Sequence, residues 1–193
     1  RSYAGLFCHL SGTVQDLIER GTITTNRKFA GMAANLRGGT LLRCQSYIDI
    51  YGIISGDGTH GGLAGLFSEG LGLSQLQDCI FAGTINGDNV DCCGGLVGWA
   101  TEMGFISNCL MAGKMNISSN GGDVICRNNG KAILQGTYYL PPSQGGWGVP
   151  SEAISTDADE MSSGALCYKL NAGRDEAAWY QTLDEDDYPV PEI

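Results

Sequence analysis

Eight cysteines, two histidines and a set of turn-borne aspartates are the residues of this sequence that could do chemistry. Zinc needs ligands converging as a tetrahedron, typically with two cysteines two residues apart, and no Cys-x-x-Cys occurs. A nucleophilic thiol or hydroxyl needs a neighbouring base and a group that orients it. The only histidines are His9 and His60. His9 adjoins Cys8, where strand alternation sends the two side chains to opposite faces. No Gly-x-Ser-x-Gly occurs. The stretch CCGGLVG, residues 92–98, could be half a metal site, a vicinal disulfide or a phosphate cradle. The metal reading lacks partners, and the phosphate reading lacks a following Gly-Lys-Ser/Thr. A Cys92–Cys93 disulfide stays open.

Asp57, Asp88, Asp91 and Asp123 all fall in the turns between recurring blocks and could line one ridge. Two or three acids on adjacent turns are what polysaccharide lyases and hydrolases use, and a ridge of carboxylates could also hold Ca²⁺. The same residue types satisfy the local geometry of turns, and the nearest bases lie elsewhere in the repeat. Trp99, Trp147 and the pair Tyr138–Tyr139 could stack on sugars, or serve the core and a cap. Trp99 is expected to point outward, where other copies carry His9, Asn35 or Leu66.

The elements that position these residues come from an internal repeat. AGLFCHL at 4, AGMAANL at 30, GGLAGLF at 61 and GGLVGWA at 94 share a small-Gly-aliphatic opening. Each is followed by a second block: VQDLIERGTIT, LLRCQSYIDI, LQDCIFAGTIN and ISNCLMAGKMN. A fifth copy reads GDVICRN, then LQGTYYLP. Aligned, Val14, Leu41, Leu76, Ile106 and Leu134 form one column, with steps of 27, 35, 30 and 28 residues. Leu17, Cys44, Cys79, Cys109 and Thr137 form another, in which cysteine fills a small buried slot. Ile23, Ile50, Ile85 and Met115 make a third. Leu6, Met32, Leu63, Leu96 and Val124 line up, followed two places on by Cys8, Ala34, Gly65, Gly98 and Cys126.

Glycine inside a helix costs about 1 kcal/mol, so units cut by Gly every few residues are not helical. Short strands separated by Gly and Asx turns fit, with inward columns in register and loops of varying length between them. The expected fold is an all-β parallel β-helix of about five coils, right-handed by the crossover rule and rising by roughly 4.8 Å per coil. Composition divides the chain: residues 1–150 are near neutral and hold 28 of the 30 glycines, whereas 151–193 carry a net charge of −9. In the tail, Thr156 and Asp159 have capping-box spacing, Met161, Leu166 and Leu170 can share a helix face, and Gly173 can end it. Trp179, Tyr180 and Leu183 are expected to bury on the last coil, capping its open edge.

The pattern GGLVGWATEMGFISNCLMAGKM, residues 94–115, resembles the GLUG motif repeat of bacterial cell-surface proteins, including the non-catalytic part of some immunoglobulin A peptidases. GTYYLP resembles the ending of such arrays. SSGALCYKLNAG with AAWYQTLDEDDYPV is similar to a segment that follows them in surface proteins of gut Bacteroides-like bacteria. The resemblance implies architecture and a surface location, and it carries over no catalytic or ligand residues.

The expectation is therefore a non-catalytic structural or adhesive segment of a larger surface protein, with no cofactor. It would be a monomer engaging a protein or glycan partner. An acidic tail and no basic cluster speak against nucleic acid, and no apolar run is long enough to span a membrane. The opening RSYAGLF, with neither Met nor a leader, reads as a mature or excised fragment. The rival readings are a carbohydrate-active β-helix enzyme and the spacer part of a secreted peptidase.

Overall fold

In a computed structural model, which describes residues 2–128 and 130–193, the chain winds as a parallel β-solenoid of about five turns. Each coil contributes to three faces. The first holds the parallel strands Ala64–Phe67, Val97–Ala100 and Cys126–Asn128. It reaches the earlier coils through single bridges from Phe7 to Ala33 to Ala64 and from Leu10 to Leu36 to Phe67. The second stacks Thr13–Gln15, Thr40–Leu42, Ser74–Gln77, Gly104–Ser107 and Ala132–Gln135. The third begins with Ile18–Thr25 and Gln45–Gly52 and continues through shorter strands to Tyr138–Tyr139. No helix among the described residues is long and apolar enough to cross a membrane.

The apolar columns stack in register. Val14 pairs with Leu41, Leu41 with Leu76, Leu76 with Ile106, and Ile106 with Leu134. Ile23, Ile50, Ile85 and Met115 do the same on the third face. The middle members of both columns are fully buried, and each contributes on the order of 1.5–3 kcal/mol. The column of small residues follows from backbone approach: a Cβ on Gly98 would lie 2.2 Å from the Thr59 carbonyl oxygen and 2.5 Å from that of Gly65.

The turn from second to third face is made by one left-handed residue per coil. Asp16, Arg43, Asp78, Asn108 and Gly136 have φ between 48° and 57°. Asn and Asp tolerate this region and Gly prefers it. Arg43 holds it while gripping Asp16 through two hydrogen bonds of 2.6 and 3.0 Å. The next column, Leu17, Cys44, Cys79, Cys109 and Thr137, lies inside this corner. The Cys79 thiol donates to the carbonyls of Gln77 (3.2 Å) and Leu41 (3.3 Å), and Cys109 donates to Ser107 (3.3 Å). The Thr137 hydroxyl meets the two equivalent carbonyls, those of Gln135 (3.3 Å) and Ile106 (2.9 Å). From the second coil on, the slot therefore takes a small side chain that carries a donor; Leu17, on the first coil, is only half-buried.

The alignment needs three corrections. Cys126 pairs with Val97 rather than standing beside Gly98, because a register shift enters the last strand of the first face. Val124 is consequently displaced by one, and the Leu96 amide bonds the Ile125 carbonyl. Leu6, though in register with Met32, is 56% exposed where Met32 is fully buried, because among the described residues nothing packs on its outer side.

Only the first residues of the tail sit over the last coil; its helices and Trp179 do not. Ile154–Ser155 adds one strand to the third face beside Tyr138–Tyr139. Helix α1 (Ala158–Ser162) and helix α2 (Ala165–Asn171) then lie along the outside of that face. Asp157, not Thr156, caps α1, accepting from the Glu160 amide at 2.8 Å. Met161, Leu166 and Leu170 share one buried cluster with Trp179 and with Ile80, Leu110 and Tyr138 from three successive coils. Tyr180 and Leu183 stay more than half exposed, because the strand Trp179–Tyr180 turns only one side chain inward. Further along, the Gln45 side-chain amide bonds the Pro191 carbonyl at 2.8 Å, which carries the tail back to the second coil. The solenoid's end is closed by Trp147 and by Ala153 at the start of the tail, which pack on the main core.

Candidate binding face

Outward residues of the first face bring aromatic and charged side chains together from several coils. Trp99 pairs with Leu66 on the preceding coil and projects outward as expected, in line with Asn35 and His9. The Arg127 guanidinium lies over its ring at 4.9 Å, and the Lys28 ammonium sits 5.5 Å from the ring and 5.6 Å from Phe29. Tyr3 stacks on Phe29 at 5.4 Å and meets the edge of His9 at 4.6 Å. The Asn35 amide contacts His9 Nδ1 at 3.3 Å and accepts from Ser68 at 2.7 Å.

Asp57 joins this cluster. Its carboxylate pairs with Lys28 at 2.7 Å and Arg127 at 3.1 Å and accepts from the Thr59 hydroxyl. Partial burial alone would raise its pKa. The hydrogen bonds from Lys28 and Thr59 and the two positive charges outweigh that and hold it below the ordinary carboxylate range. The sequence placed the nearest bases in other phases of the repeat, yet Lys28 and Arg127 reach Asp57 from a corner and from a neighbouring face. Lys28 lies about one coil and Arg127 70 residues from Asp57 in sequence, so linear phase hides the meeting.

The four candidate aspartates do not share one ridge. Asp91 pairs in register with Asp57 on the next coil and accepts from Asn120 at 3.2 Å. Asp88 is exposed on a separate turn, lining a shallow cleft with residues 52–55. Asp123 is turned inward: its Oδ1 accepts from the Ile125 and Cys126 amides at 2.8 and 3.0 Å, and burial lifts its pKa to about 6. Among the described residues, no three His, Cys, Asp or Glu side chains come together as a metal site. Trp147 is in the core and Tyr138 lies beneath the tail, so Trp99 is the outward member of the aromatic candidates.

Cys44, Cys79, Cys93, Cys109 and Cys126 are buried, and all eight thiols are free, including Cys92 at the corner beside Cys93. Burial pushes the Cys79 and Cys126 thiols well above the usual range and Cys93 to about 12. At neutral pH such thiols are not thiolates and are poor nucleophiles. His60 is wholly buried, with neither ring nitrogen hydrogen-bonded, and burial lowers its pKa to about 4. It approaches Cys93 only through its own backbone amide, which bonds that sulfur at 3.3 Å. No family model, curated protein or solved structure matches the chain.

Proposed function

We propose that this chain is a non-catalytic, adhesive segment of a larger bacterial cell-surface protein, and that it binds glycan through the outer side of its first face. The observation that carries this reading is the Trp99 cluster: an outward indole beside Arg127 and Lys28, both tied to Asp57, on a rigid parallel sheet. Aromatic rings supply flat apolar area at low entropic cost, and flanking polar groups supply donors and acceptors for hydroxyls. The ordering is completed before any ligand arrives, which favours affinity. Binding of the chain to an immobilised panel of neutral and acidic glycans tests the reading. Trp99→Ala should weaken any binding at least tenfold, whereas Leu71→Ser, at a fully exposed residue, should leave it unchanged. Equal binding by wild type and Trp99→Ala would sink the assignment.

The lyase reading gains one point from the structure, because an acid with two bases on a β-helix is the kind of group such chemistry uses. Asp57 is nonetheless ionised and doubly paired, which leaves it a weak general acid. Accumulation of unsaturated uronate absorbance from polygalacturonate, abolished by Asp57→Asn, would favour the enzyme over the adhesive segment.

A further inference from the structure

We infer that the turn at residues 56–60 is an acid-operated latch: proton uptake by the buried His60 ring opens the turn, and Asp57 leaves Lys28 and Arg127 with it. The bearing of the latch on a ligand rests on the binding role proposed above. The latch itself is a property of the turn.

Three neighbouring residues make the case. His60 is fully buried, and among the described residues neither ring nitrogen has a hydrogen-bond partner. Its ring packs against Gly52, Gly58 and Val90, whose side chains offer no polar group. An imidazolium in that slot would be an unpaired buried charge, which a fold does not hold without moving. Thr59 is also fully buried and has φ at 36°, an outlier for a β-branched residue. Backbone of this kind stores strain and persists only while its surroundings hold it. The Thr59 hydroxyl donates to Asp57, the carboxylate that pairs with Lys28 and Arg127 beside Trp99. The rest of the hold is backbone: the amides of Gly56 and Gly58 bond the Asn89 and Asp91 carbonyls at 2.7 and 3.1 Å. One short turn thus joins a ring that cannot accept charge, a strained residue and the acid that orders the binding face.

The segments packed around the ring carry other charged or titratable groups. Lys28, on the preceding coil, is turned to Asp57, and Asp91, on the next, accepts from Asn120. The Cys93 thiol meets the His60 amide, while Tyr51 and Asp88 are exposed. Asp57 is the charge that acts on the ring, and it favours protonation; burial opposes this and prevails. The closed turn therefore binds the proton less tightly than the open one, so acid shifts the balance toward opening.

Hydrogen exchange on the full chain at pH 6.5 and 4.5, corrected for the chemical exchange rate, tests the latch without any ligand. The amides of Gly56 and Gly58 should lose protection by roughly tenfold or more between these values. The strand Gly104–Ser107, paired on both sides, should keep its own. His60→Leu should abolish the change, and the wild-type comparison stands without that variant. Asp57→Asn, which removes the tie to Lys28 and Arg127, should raise exchange at Gly58 several-fold already at pH 6.5. Protection at Gly56 and Gly58 that is unchanged at pH 4.5, or lost equally at Gly104–Ser107, overturns the inference. So does the same loss in a folded His60→Leu, or an Asp57→Asn chain that exchanges at Gly58 like wild type. Failure of the glycan panel, by contrast, removes the binding role and leaves these exchange results to decide the latch.

Discussion

His60 carries the sharpest consequence of a single side chain. Its ring lies against the backbone at Gly52 and Gly58, where a Cβ would come within 2.6 and 3.2 Å of Nε2, and no acceptor or donor meets it. The folded state therefore holds it neutral down to about pH 4, whereas an unfolded histidine takes up its proton near 6.5. Between those values the unfolded chain binds more protons, so stability falls as pH drops through this window, by up to about 3 kcal/mol, and above it this group contributes no pH dependence. Burial lifts Asp123 to about 6 and Glu19 to about 7, and these carboxyls oppose the His60 slope in the same window. The His60 contribution should therefore appear as the difference between wild type and His60→Leu in urea midpoints measured from pH 7 to 4. The corner thiols give a second test. Thr137 makes with oxygen, to the Gln135 carbonyl two residues back, the bond that Cys109 makes with sulfur to Ser107. Cys109→Thr should accordingly cost less than about 1 kcal/mol in urea unfolding, and Cys109→Leu about 1–3 kcal/mol by overpacking.

Between elements, the decisive contact is the one that fastens the tail to the third face. Asp78, at a left-handed corner, is nearly fully buried and is gripped by Arg174 from beyond α2 and by the Trp179 indole N–H at 3.3 Å. Removing one partner of a buried pair leaves the other charge unsatisfied, at a cost of about 3–5 kcal/mol. Asp78→Ala should release the segment after α2 to limited proteolysis while the coils stay resistant; an unchanged cleavage pattern would show that the apolar cluster alone holds it. That cluster was written in the sequence as doublets. Ile80–Phe81, Leu110–Met111 and Tyr138–Tyr139 each put one residue into the bore and one outward. A strand covered on both faces reads as a continuous apolar run rather than an alternation. The equivalent doublets Ile18–Glu19 and Gln45–Ser46 lack it: Ile18 is 47% exposed, and Gln45 is buried through its bond to the tail at Pro191 rather than by apolar packing.

For the molecule as a whole, two apolar cores lie on either side of one sheet: the bore of the solenoid and the cluster beneath the tail. Deleting residues 156–193 should leave a folded solenoid that binds a hydrophobic dye at the exposed Ile80 and Leu110 and associates at lower concentration than the full chain. A deletion variant that neither binds dye nor associates would mean these residues find other cover.

Coil number, strand direction, the inward columns and the boundary in composition were determined by the sequence itself, because burial inside a bore demands the same residue type at the same phase on every coil. Trp99 pointing outward was legible for the same reason. Three things were decided only by tertiary structure. The meeting of Lys28, Asp57 and Arg127 depends on side chains reaching across corners, which phase in a linear repeat does not encode. The separation of Asp123 from Asp57 and Asp91 depends on a turn that points one carboxylate at backbone amides instead of at solvent. The helices of the tail lie along the third face and not over its end because Asp78, Ile80, Leu110 and Tyr138 form a site assembled from three coils, and no stretch of sequence holds them together.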